Sequence, residues 1–217
     1  LLPSNFDLKM KEKIITYLFE KVNFSNYRYK ILENDGDLSN LDNCDFVSSN
    51  YVGTQCLLFL ANINNCRISA INKKKNISYD IKKINWNSIN FYYFELQNVY
   101  PSVKDLYEGT ILDAVYISNN TNSIIINDVY LFKGEVPNKN INETMNSLEE
   151  YFVQNIVQTN FLIYFNQFRE IKDLDKLINI DIPVLNNNRY IRGLSFFPKK
   201  SGKKIIYSFG HSICKYT

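Results

Sequence analysis

Two stretches concentrate the residues that could do chemistry. Gly109-Thr-Ile-Leu-Asp-Ala-Val-Tyr116 sets an acid, Asp113, in an otherwise apolar run, and Asp128 lies on the run that returns beside it. Tyr51-Val-Gly-Thr-Gln55, far upstream, sets Gly53 ahead of a second apolar run. The acids could bind a metal or hydrogen-bond the ends of a hairpin. Arg67, Arg189 and Arg192 lie on or beside expected strands, and Lys104 precedes the Thr110 run. A guanidinium fork takes two oxygens of a phosphate at once, so these cations suit a phosphorylated ligand. Trp86 stands in the polar run Asn85-Trp-Asn87, and Tyr207 and Phe209 close the last apolar run. Each ring could stack on a planar ligand or pack in the core. Cys44, Cys56, Cys66 and Cys214 have no C-x-x-C spacing and the chain has one histidine, so no tetrahedral zinc site is expected. The thiols read as reduced cysteines of an intracellular protein. His211 reads as a surface or packing histidine.

The bulk composition bounds the setting. The chain has 217 residues, 45% of them hydrophobic and 15% aromatic, enough for one sizeable domain or two small ones. A net charge of +3 does not suit a protein that coats nucleic acid through bulk charge, but a pocket for a small polyanion needs few cations. Asn23, Asn76, Asn119 and Asn142 match the glycosylation sequon, which an Asn-rich chain yields by chance. No apolar run approaches the ~20 residues that span a membrane, and no signal peptide is visible. The chain starts without Met and is read as a fragment.

The elements that must position these residues follow from periodicity. Leu8 to Val22 has helical spacing, with Met10, Ile14, Leu18 and Val22 on one face. Asn23 to Asn43 reads as loop. Val52 to Leu60 and Cys66 to Ile71 read as strands around an Asn-rich turn, with Lys73-Lys-Lys75 solvated and Ile77 to Ile81 pairing back. Asn85 to Leu106 is irregular. Gly109 to Ile117 and Ile124 to Phe132 form a hairpin. Asn142 caps a helix to about Gln158, and Leu174 to Ile180 reads as another. Ile191 to Phe197 and Lys204 to Ser208 are late strands around a basic turn, in which Lys199-Lys200 and Lys203-Lys204 are solvated. The fold class expected is α+β with a largely antiparallel sheet and flanking helices.

Four segments in order resemble the nucleotidyltransferase superfamily of capping enzymes and ligases: Val52 to Leu58, Gly109 to Asp113, Ile125 to Gly134 and Arg192 to Phe197. That superfamily carries Lys-x-Asp-Gly-x-Arg on one strand and Asp-Gly-Glu on a later one. The resemblance implies a guanylyltransferase-like fold. It also implies lost chemistry. Asn50 stands at the position of the attacking lysine, and an amide cannot form the phosphoramidate. Val52 replaces the aspartate, Ala114 and Val115 fill the Gly-Glu positions, and Tyr207 to Gly210 supplies no late lysine. Capping enzymes carry a following OB-type domain, for which the residues after Gly210 leave no room.

Within the superfamily the chain is most similar to the snurportin cap-binding domain, which also has Val before Gly and Thr-Ile-Leu-Asp followed by a small residue, an aliphatic one and Tyr. It departs from that domain at Thr54-Gln55, where the family has a basic pair, and near Phe209, where it has a tryptophan. The resemblance implies a non-catalytic binder of a methylated guanosine cap of the trimethylguanosine type, with no cofactor and no metal. The implied setting is an snRNP import adaptor moving between cytoplasm and nucleus. Its partners are capped RNA and an importin or other protein bound through a segment not in this chain, with no membrane. Cap stacking falls to Trp86, Tyr207 and Phe209, and phosphate or ribose contacts to Lys104, Arg67, Arg189 and Arg192. The motif positions are Asn50, Val52, Gly53, Thr54, Gln55, Asp113, Asp128 and Gly193. Residues 1–45 are expected to form a helix and loop packing on a cap-binding domain at 46–217, as one unit. The alternatives are a docking module of an RNA-processing or transcription assembly and, more remotely, a diverged guanylyltransferase.

Overall fold

A computed structural model describes residues 1–32, 41–99, 101–118, 122–185 and 191–209. The loop expected through 33–40, the turn expected at 119–121, residues 100 and 186–190, and everything after Phe209 lie outside the described residues.

Asp7 starts the first helix, α1 (Leu8–Lys21), by accepting a hydrogen bond from the Met10 amide. Such a cap satisfies an amide that the helix start leaves free. Ile14, Leu18 and Val22 are buried, as their spacing predicts, and Ile15 joins them. The strands are β1 (Tyr29–Leu32), β2 (Phe46–Tyr51), β3 (Thr54–Ile63), β4 (Cys66–Lys73), β5 (Phe91–Tyr93), β6 (Leu96–Val99), β7 (Thr110–Ile117) and β8 (Ser123–Leu131). After α2 (Ile141–Asn155) come β9 (Ile156–Thr159), β10 (Leu162–Phe165), β11 (Phe168–Glu170), β12 (Ile191–Phe197) and β13 (Lys204–Ser208).

A six-stranded sheet has the order β10-β8-β7-β3-β4-β5, a five-stranded sheet the order β1-β13-β12-β2-β11, and β6 pairs with β9. Pairing is antiparallel except for β1 with β13 and β10 with β8. The fold is α+β with largely antiparallel sheets, the class that the sequence predicts. Alternation sorts the faces of the six-stranded sheet. Leu57, Phe59, Ala61 and Ile111 pack with Ile14, Ile15 and Leu18 of α1. Leu58, Leu60, Leu112 and Ala114 pack with Met145, Leu148 and Phe152 of α2. A third cluster joins Val47, Leu194 and Phe196 of the five-stranded sheet to Val115 and Ile125 of the other.

Several local expectations are corrected. Asn140, not Asn142, caps α2: its side-chain Oδ1 accepts from the Glu143 backbone amide at 2.9 Å while its side-chain Nδ2 donates to the Glu143 carboxylate at 2.8 Å. That pair of bonds needs an acid three residues on, which Asn140 has. The helix ends at Asn155 because the chain then pairs with β6. Ile77 to Ile81 does not pair back, and β4 takes β5 instead. The helix expected at 174–180 is a chain of short helical turns from Ile171 to Leu185. β1 lies in a stretch read as loop.

The β12–β13 hairpin tolerates no side chain at Gly193. A Cβ there would lie 1.9 Å from the Tyr207 carbonyl oxygen, whereas at Gly202 in the turn the nearest atom, on the Pro198 ring, is 3.3 Å away. Gly193→Ala is therefore expected to lower unfolding free energy by about 1–3 kcal/mol in urea melts. Gly202→Ala is expected to stay within about 0.5 kcal/mol.

Candidate functional site

The β7–β8 pairing sets Asp113 opposite Asp128, beside a register shift between Asp113 and Ala114. Both side chains are buried, at 0% and 2% exposure. A buried carboxylate needs a compensating charge. Asp113 has two: Lys74 Nζ lies 2.9 Å from Oδ1 and Lys204 Nζ 3.2 Å from Oδ2. Lys74 comes from the helical turn after β4, and Lys204 opens β13 in the other sheet. Burial raises the Asp113 pKa, but Lys204 and Lys74 outweigh it and hold the carboxyl below its usual range. Asp128 is held by neutral donors, Ser201 Oγ at 2.6 Å and the Val129 amide at 2.8 Å. Burial pushes its pKa up to about 6; the Ser201 hydrogen bond opposes that rise and the Asp113 charge adds to it. Lys74 also donates to Tyr130 Oη at 3.2 Å, and Tyr27 stacks on the Tyr130 ring with centroids 4.0 Å apart.

A cleft of about 490 Å³ opens beside this cluster, walled by both sheets. β2 contributes Ser48, Ser49 and Asn50, and β12 contributes Arg192 and Ser195. β13 adds Lys204, Ile206 and Ser208, and β1 adds Tyr29 and Ile31. The six-stranded sheet supplies Gln55, Leu57 and Asn127, and the segment after β4 supplies Lys74, Lys75, Ser78 and Tyr79. Arg192 Nε donates to Asn50 Oδ1 at 3.2 Å. The buried hydroxyls of Ser48 and Ser49 have no hydrogen-bond partner among the described residues. Tyr29 and Tyr79 are 54% and 43% exposed, and the Arg28 guanidinium lies 4.4 Å from the Tyr79 ring centroid. The cleft thus brings together cations, polar side chains and exposed aromatic rings.

The segments that carry the resemblance meet here. Asn50, Gln55, Asn127 and Arg192 line the cleft, and Asp113 and Asp128 form the cluster beside it. Val52 is half-buried, Gly53 is exposed, and Thr54 pairs with Tyr116. A Cβ on Gly53 would meet the Tyr116 carbonyl oxygen at 2.5 Å, so a backbone contact accounts for that glycine.

The other expected ligand residues lie apart from the cleft. In β13 the residues Lys204, Ile206 and Ser208 line it, while Tyr207 and Phe209 pack against the third cluster, edge to face at 6.0 Å. Trp86 sits half-buried against the α1 cluster. Arg67 is exposed on β4 with its guanidinium 4.5 Å from the Tyr107 ring centroid, and Lys104 is exposed on a helical turn. Arg189, His211 and Cys214 lie outside the described residues. Lys74 and Lys204, expected to be solvated, are instead the partners of Asp113. Tyr29 and Tyr79 were not expected at the site. Among the described residues no cluster of His, Cys, Asp and Glu could hold a metal ion.

No family model and no curated protein matches the sequence. Among solved structures, this chain is similar to one named Pmar-Lig_PreS3 at 7% identity and a TM-score of 0.45, over 94% of this chain and 51% of that one. It is also similar to the Chlorella virus DNA ligase-adenylate at 12% identity and a TM-score of 0.43, over 85% of this chain and 67% of that one. The chain therefore spans about half the length of the first of these structures.

Two outcomes are expected of the acid pair. Asp113→Ala leaves two cations facing a buried gap and is expected to cost about 3–5 kcal/mol in urea melts. Asp128 has its folded pKa raised, so the folded state holds the proton more tightly than the unfolded chain does. Its contribution to stability is then fully present at low pH and is lost as pH rises through about 6. Asp128→Asn is expected to remove that loss, so the variant gains on wild type between pH 4 and pH 7 in the same melts. An unchanged difference between the two proteins across that range contradicts it.

Proposed function

We propose that the cleft binds the methylated guanosine cap of an RNA and does not transfer it. One observation supports the reading above the rest. The same cleft joins Arg192, Lys74, Lys75 and Lys204 to the polar side chains of Ser48 and Asn50 and to the exposed rings of Tyr29 and Tyr79. A cap needs these three things together: cations for its phosphates, polar groups for its ribose and base edge, and an aromatic face for a positively charged 7-methylated guanine. In this reading Tyr29 and Tyr79 take the stacking role, because Trp86, Tyr207 and Phe209 do not line the cleft. Arg192 takes phosphate, and Asn50 orients it.

The absence of transfer rests on Asn50, which has no nucleophilic amine. Two of the cleft lysines, Lys74 and Lys204, are engaged with Asp113. The cellular role that goes with this reading is that of an import adaptor for small nuclear ribonucleoproteins, acting in cytoplasm and nucleus with an importin or similar protein partner. The alternative is a docking module in an RNA-processing assembly. Apolar side chains exposed at Ile178, Ile180 and Val184 favour it.

Fluorescence titration with trimethylguanosine and 7-methylguanosine cap analogues tests the reading. Saturable binding with Kd below about 100 μM, or about −5.5 kcal/mol, is expected. Tyr29→Ala and Tyr79→Ala are each expected to weaken it by about 1–3 kcal/mol. No saturable binding to either analogue rejects cap recognition and leaves the docking module. Incubation with labelled GTP or ATP is expected to leave the protein unlabelled, and covalent label rejects the non-catalytic reading.

A further inference from the structure

The turn between β12 and β13, Pro198-Lys-Lys-Ser-Gly-Lys203, looks in sequence like an ordinary solvated charge run. The structure gives it a fixed place. Ser201 Oγ donates to the buried carboxylate of Asp128 at 2.6 Å. On its other side, the first amide of α2, at Ile141, donates to the Lys199 carbonyl at 2.9 Å. These two bonds clamp the turn over the Asp113–Asp128 cluster. With Ser201 directed inward, Lys199, Lys200 and Lys203 remain exposed, and Lys139, just ahead of α2, is exposed as well. Of the two acids nearest in sequence to Lys139, Glu143 is engaged with Asn140, and Glu135 is exposed on the other side. The residue after the turn, Lys204, lines the cleft. Cations thus continue from the cleft interior onto the outer surface, on backbone that is already ordered and loses little freedom on binding.

We propose that this turn, together with Lys139, is a second anion site that holds the phosphodiester backbone of the single-stranded RNA leaving the cleft. The inference rests on the cap reading of the cleft for which ligand it extends, but the site itself is made of different residues. Phosphate contacts of this kind carry no sequence preference and weaken with salt. The ligand class is therefore a single-stranded polyanion of any sequence, entered from its capped end.

Fluorescence anisotropy with a cap dinucleotide, a capped oligonucleotide of about ten residues and the same oligonucleotide uncapped tests it. The capped oligonucleotide is expected to bind at least about tenfold more tightly than the dinucleotide at 50 mM salt, with most of the gain lost at 200 mM. The triple variant Lys199→Ala, Lys200→Ala, Lys203→Ala is expected to lose that gain. Its dependence of log K on log salt is expected to fall by about 0.7 per phosphate contact removed. Dinucleotide affinity is expected to stay within about twofold of wild type, which also shows that the variant is folded. A triple variant that keeps the gain overturns the proposal, as does an oligonucleotide that binds no better than the dinucleotide. If the dinucleotide does not bind at all, the cap reading fails and the uncapped oligonucleotide decides for the turn. Binding that the triple variant loses upholds the site, and binding unchanged or absent overturns it.

Discussion

The carboxylate of Asp113 lies wholly buried between two ammonium groups, and the rest of the site is arranged around it. An ionised acid at that depth is costly in an apolar surrounding. Lys74 and Lys204 offset the cost, and they come from opposite sides of the cleft. One ion cluster thereby ties β7 of the six-stranded sheet to β13 of the five-stranded sheet. Asp128, across the ladder from Asp113, cannot share those lysines equally. It takes neutral donors and a raised pKa, and in doing so it fixes Ser201 and the basic turn.

The cleft is the space left beside this tie. Its walls are strands, so the side chains facing it are set by alternation and register rather than by loop mobility. Asn50 and Gly193 are in register, and so are Ser48 and Ser195 two rungs along, on the same face. Gly193 gives close approach to β13, while Ser48 leaves its hydroxyl without a partner among the described residues. A buried hydroxyl without a partner costs stability unless something occupies it. Such a group in the wall of a cleft that also holds Arg192 and several lysines suits a polar ligand that satisfies it.

Much of the frame was legible in the sequence. The β7–β8 and β12–β13 hairpins, α1 and the α+β class all follow from local periodicity, and the bounds of β12 and β13 agree with the predicted ones. The site was legible only where it coincides with a motif, at Asn50, Gln55, Asp113, Asp128 and Arg192. Lys74 and Lys204 look like any exposed lysine, because the acid that holds them is remote in sequence. Tyr207 and Phe209 were placed by resemblance, but strand parity decides their face. With Lys204 directed inward, the odd-numbered residues of β13 turn away. Tyr29 escaped notice because β1 exists only through its parallel pairing with β13, a contact with no local signal.

In the reading proposed above, this protein meets its ligand in the one cleft built on the Asp113 cluster. Amide chemical-shift mapping during titration with a 7-methylguanosine triphosphate analogue tests it most directly. Shifts are expected to concentrate at Ser48 to Asn50, Lys74 to Tyr79, Arg192 to Ser195 and Lys204 to Ser208. Saturating shifts gathered instead around Trp86, or around the separate cavity lined by Cys66, Arg67 and Tyr93, contradict it.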